Sequence, residues 1–79
     1  MEYISNRITI NEQICNGKPT IRGKRITVQT ILEFLTAGNS PEEILFQYPS
    51  LEKEDIKACM QFAVDLMKQN YVVKPFSYA

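Results

Sequence analysis

The sequence predicts a mainly α domain in which short N-terminal β-strands precede three helices. Three observations predict it. β-branched residues cluster ahead of residue 28, in "RITI" (7–10) and "TIRGKRIT" (20–27). After residue 28 the apolar residues recur at helical spacing, as in Val28, Ile31, Leu32 and Leu35. The helical stretches are separated by "AGNSP" (37–41) and "YPSLE" (48–52), short connections that join a helix stop to a helix start.

Taken in order, "RITI" alternates polar and apolar residues and reads as a short strand with Ile8 and Ile10 facing inward. "NEQICNGKP" (11–19) is a loop rich in turn residues. "TIRGKRIT" reads as a hairpin with its corner at Gly23–Lys24, since a leading glycine suits a type II′ turn. That register sets Ile21 against Ile26 on an inner face and Arg22 against Arg25 on the outer one, with Lys24 at the tip. Like charges directly opposite are destabilising, so such a cluster suits an anionic ligand. An ordinary basic edge that discourages strand pairing is the other reading, and an unpaired extended segment is the alternative to the hairpin.

Thr27 is placed to cap a helix from Val28, with Gly38 just past its end. Ser40 caps the second helix, Pro41 takes its first position, and Glu42 and Glu43 suit its N-terminus. Tyr48 ends it, because the residue before Pro49 is pushed out of the α region. The third helix runs from about Lys53 to Gln69. The second and third helices have the lengths of a helix–turn–helix and equally those of a plain helical packing unit.

The third helix is apolar nearly all round. Between Ala58 and Met67 only Gln61 and Asp65 are polar, whereas a surface helix shows one apolar stripe. Ile56, Cys59, Met60, Ala63 and Met67 are expected toward the core. Phe62 and Leu66 are then left for a second subunit or a partner to cover, or for the C-terminal tail. That tail, "YVVKPFSYA" (71–79), holds the aromatics Tyr71, Phe76 and Tyr78 and one charge, unlike a solvated end. "YVV" suits a strand that Pro75 would stop. The expected organisation is one domain over 1–70 and a partner-binding tail over 71–79.

The composition excludes several functions. The 79 residues fit one small domain, marginal alone and stabilised by a partner subunit. No apolar run is long enough to span a membrane, and "MEYISNRITI" lacks the apolar core of a signal peptide. Cys15 and Cys59 do not make a disulfide framework and suit reduced thiols in a cytoplasm. There is no histidine and no zinc-like spacing, so neither a metal nor a cofactor is expected, and no residue set suggests an enzyme. "CNGKPTIRGKRIT" (15–27) is no phosphate loop. Five residues separate Gly17 from Gly23, and Arg25 stands where the magnesium-binding hydroxyl belongs.

Net charge is zero but unevenly spread. Residues 1–27 carry the bases Arg7, Lys18, Arg22, Lys24 and Arg25 against Glu2 and Glu12, and the remainder is acidic. Such a front suits an anionic partner, or attraction between the two parts of the molecule.

Together, "GKPTIRGKRITV" and "ILEFLTAGNSPEEILFQYPSLEKEDIKACMQFA" resemble the family called domain of unknown function 433. The resemblance runs over about residues 8–64 through the Gly-Lys-Pro, Arg-Gly-x-Arg-Ile and Tyr-Pro stations. It implies a small winged or homeodomain-like helix–turn–helix bundle. It further implies an antitoxin of a type II toxin–antitoxin pair: a homodimer that binds operator DNA and masks a PIN-like nuclease toxin. Lys24 stands where the family usually has threonine, and the tail lies outside the shared pattern. The acidic opening of the third helix, "EKEDIK", would repel phosphate. The main DNA contact is therefore expected from Arg22, Lys24 and Arg25, with Lys53 and Lys57 assisting. A dimeric protein-binding module that does not touch DNA is the competing reading, and zero net charge favours it.

Overall fold

The computed structural model describes residues 2–3 and 5–70, with side chains over 5–68. Three short strands, β1 (Glu2–Tyr3), β2 (Ile8–Ile10) and β3 (Thr20–Ile21), precede three helices, α1 (Val28–Thr36), α2 (Pro41–Gln47) and α3 (Lys53–Asn70). The fold is mainly helical, as the sequence predicts.

The strands form an antiparallel sheet in the order β1-β2-β3, with Ile8 opposite Ile21 and Thr9 opposite Thr20. Ile8 and Ile21 are fully buried. Ile10 is only half-buried, while Thr9, expected to face outward, is buried. The burial of Thr9 is satisfied locally: its hydroxyl lies 3.3 Å from that of Thr20 and accepts from the Gly23 N–H at 2.8 Å.

The expected hairpin needs correction. Ile21 does face Ile26, its N–H donating to the Ile26 carbonyl at 3.1 Å. The corner, however, falls one residue early, at Arg22 (φ 49°) and Gly23 (φ 72°), and the Lys24 N–H closes it on the Ile21 carbonyl at 2.8 Å. Two successive left-handed residues make a turn of the I′ kind, costly for arginine. Beyond the corner only an isolated bridge, Thr20 to Thr27, continues the pairing.

The helix boundaries follow the capping chemistry. Thr27 Oγ1 accepts from the Thr30 N–H at 3.1 Å. Past α1, Gly38 (φ 98°) takes the left-handed position, with Gly38 N–H on Leu35 and Asn39 N–H on Phe34, the Schellman pattern. Ser40 and Glu43 complete a reciprocal capping box on α2.

The core gathers Ile8 and Ile21 from β2 and β3, Val28, Ile31, Ile44, Ile56 and Cys59 from the three helices, and Leu51 from the α2–α3 connection. Phe34 and Tyr48 pack edge to face against it, ring centres 6.0 Å apart. Along α3 the expectation divides. Ile56 and Cys59 are core, but Met60 is 42% and Met67 60% exposed. Phe62, expected to lack cover, is half-buried against the core, and Leu66 is 45% exposed. The inward face of α3 runs through Asp55, Cys59 and Phe62. Beyond Ala63 the helix outruns the domain, so no described residue there is buried. Among the described residues no helix is long and apolar enough to cross a membrane.

Candidate functional site

The N-terminal turn of α3 meets the sheet through a cluster of charges. Asp55 is fully buried. Its Oδ1 accepts from Arg7 Nη1 at 2.8 Å and from Arg22 Nε at 3.0 Å. Its Oδ2 accepts from Arg22 Nη2 at 2.7 Å and from the Glu52 N–H at 2.8 Å. Four donors therefore meet one carboxylate. The Glu52 contact is a capping interaction, an acid at the third helical position reaching back to the residue before the helix. Arg7 Nη1 also reaches Glu52 Oε1 at 2.8 Å, and Arg22 Nη2 donates to the Ser50 carbonyl at 3.1 Å.

The two arginines arrive together because the sheet places them together. Arg22 N–H donates to the Arg7 carbonyl at 2.9 Å, continuing the β2–β3 pairing. The left-handed corner turns the Arg22 side chain toward α3 instead of toward Arg25. Burial alone would push the Asp55 carboxyl up. Hydrogen bonds from Arg22 and Arg7 outweigh it and hold the carboxyl below its ordinary value. Both guanidiniums are raised in turn, chiefly by Asp55. The Cys59 thiol, one helical turn on, is pushed up to about 12 by burial and by the Asp55 charge.

The other basic candidates lie around this cluster. Lys24 is half-exposed, and Arg25, Lys53 and Lys57 are exposed. Through the Arg22 bonds to Ser50 and Asp55, the turn carrying Lys24 and Arg25 is tethered at the N-terminal end of α3, where Lys53 and Lys57 begin. Glu52 and Glu54 stand among these bases, both exposed. Lys53 and Lys57 also line a groove of about 540 Å³ with Pro41, Glu42, Ile56 and Met60. Of the interface candidates, Phe62 lies half inside and Leu66 outside the domain, while Tyr71, Phe76 and Tyr78 fall outside the described residues. Among the described residues no group of side chains is arranged to hold a metal ion.

Sequence reasoning missed Arg7 and Asp55. The only local signal was Asp55 standing three residues after Glu52, the spacing of a capping acid.

A family model described as "Protein of unknown function (DUF433)" matches residues 8–63. The chain belongs to this family. The matched span includes Arg22 and Asp55, and Arg7 lies one residue before it. This DUF433 chain is 34% identical over 56 residues to the uncharacterized protein y4eO of Sinorhizobium fredii (strain NBRC 101917 / NGR234), covering 71% of this chain. It is also similar to the crystal structure of a DUF433 member protein from Anabaena variabilis ATCC 29413, with a TM-score of 0.71 and 33% identity over 85% of this chain. The chain spans 25% of the length of the first relative and 62% of the second.

Proposed function

We propose that this DUF433 protein is a cytoplasmic, non-enzymatic homodimer that binds DNA as the antitoxin of a type II pair and neutralises a PIN-like nuclease. The observation that supports DNA binding is the tethered turn. Arg22 is neutralised by Asp55 and braces the corner against α3, so Lys24 and Arg25 project from a fixed position with no acidic partner among the described residues. A braced pair of bases suits phosphate better than a flexible one, because less side-chain and loop freedom is lost on binding. Lys53 and Lys57 extend the same end of the molecule.

The test is binding of the full chain to the upstream region of its own gene across a salt series. Phosphate-led binding weakens linearly in log affinity against log salt. No binding at low salt removes the DNA reading.

A specific observation favours the second reading, a protein-binding module without DNA. Phe46 on α2 is 90% exposed, and buried aromatics supply much of the energy at protein interfaces. Co-purification with the product of the adjacent gene, lost on Phe46→Ala while DNA binding is absent, would decide for it.

A further inference from the structure

We infer that a second copy of this chain docks antiparallel along the exposed flank of α3, and that Glu54 of each copy pairs with Lys68 of the other. This rests on the dimeric reading above and names its seam.

The flank has a heptad geometry. Lys53, Lys57, Met60, Val64 and Met67 are spaced four, three, four and three residues apart, the alternation of a coiled-coil seam. Met60, Val64 and Met67 are 42%, 48% and 60% exposed. They form one apolar line, on a different side of the helix from the Asp55–Cys59–Phe62 face that meets the core. The groove beside Pro41 and Met60 continues that line toward the N-terminal end of α3.

The charges beside the line identify the occupant. Glu54, Gln61 and Lys68 follow one another every seventh residue along one border of the seam, and all three are exposed. An acid, an amide and a base at equal spacing complement themselves when reversed. In an antiparallel pair this border faces the same border of the second copy. Glu54 then meets Lys68, Gln61 meets Gln61, and Lys68 meets Glu54. The same register layers Met60 on Val64 and Lys57 on Met67. The Lys57 stem lies along the thioether and its ammonium reaches solvent. The opposite border brings Ala63 against Ala63, small enough for close approach. A parallel pair, in which one border meets the other as residue i against residue i+5, would set Gln61 against Ile56 and Lys68 against Ala63 and leave both charges without partners. Glu54 and Lys68 lie roughly 21 Å apart along one helix, so they cannot pair within a copy.

Sedimentation equilibrium of the full chain tests the seam. Val64→Glu places two carboxylates in it and should abolish the dimer. Glu54→Lys and Lys68→Glu each create two like-charge contacts and should raise the dissociation constant about five- to tenfold. Mixing those two variants restores every pair between unlike chains, so the mixture should associate about as tightly as wild type. All these positions are exposed, and recovery on mixing shows that both variants are folded. A dimer indifferent to Val64→Glu, or a mixture no tighter than its components, overturns the seam and leaves the dimeric reading standing. A wild-type chain that stays monomeric overturns both, while DNA binding is judged separately by the salt series.

Discussion

Arg22 and Asp55 form a two-point ion pair, Nε to Oδ1 at 3.0 Å and Nη2 to Oδ2 at 2.7 Å, which joins a left-handed turn to the first turn of a helix 33 residues later. The fork geometry of the guanidinium makes this possible from one side chain. It also gives Arg22 a reason to occupy a conformation that disfavours it.

Asp55→Ala should therefore destabilise the domain by about 1–3 kcal/mol, since it removes the acceptor of two guanidiniums and of the Glu52 N–H, while Arg7 and Arg22, part-exposed at 29% and 32%, can turn to solvent. A chain of this length has a total stability of about 4–12 kcal/mol, so the loss is large. Arg22→Lys should recover only part of the wild-type stability, because an ammonium cannot donate through a fork. Urea titrations followed by circular dichroism measure both, and an unchanged midpoint for Asp55→Ala would contradict the cluster's role.

Acid should act through the same carboxylate. A group held below its ordinary value in the fold contributes stability above the unfolded value, and that stability is lost as pH falls through the folded one. For Asp55 the ordinary value is 3.8 and the folded one lower. Its contribution is complete near neutrality and disappears on acidification below that ordinary value. Asp55→Asn should flatten the acid limb of a stability–pH curve while leaving the alkaline limb unchanged.

DNA binding should separate Arg22 from its neighbours. Lys24→Ala with Arg25→Ala removes two bases per chain and should lower the magnitude of the log affinity–log salt slope by about three to four for a dimer. Arg22→Ala should lower thermal stability first. If Arg22→Ala lowers the slope with no loss of stability, Arg22 contacts phosphate and the Asp55 pairing does not persist in solution.

Thiol labelling should distinguish the cysteines. Cys59 is fully buried and its thiol is pushed up to about 12, so it is uncharged near pH 8 and shielded from reagents. A disulfide reagent should modify Cys15 in the native protein and Cys59 only on addition of denaturant. Rapid modification of both would mean that the base of α3 opens readily.

Much of the fold was legible in the sequence because local chemistry sets it. Thr27, Gly38, Ser40 with Glu43, and Tyr48 before Pro49 bound their helices through contacts reaching only a few residues, so type and spacing suffice. Ile21 opposite Ile26 was legible for the same reason. The corner at Arg22–Gly23 was not, because glycine at 23 allows either turn and the choice depends on Asp55, far along the chain. Likewise, the clustered bases Arg22, Lys24 and Arg25 suggested one anion-binding surface, yet Arg22 pairs with an internal acid. The faces of α3 were ambiguous from composition, since a helix apolar nearly all round shows no preferred side. Packing against β2, α1 and α2 turns Cys59 and Phe62 inward and leaves Met60, Val64 and Met67 in solvent. Thus the sequence by itself determined where the helices begin and end and that α3 has more apolar surface than one small core can cover. Only the tertiary structure decided which face of α3 stays uncovered and which arginines are neutralised, because burial and charge pairing depend on residues that meet only after the chain has folded.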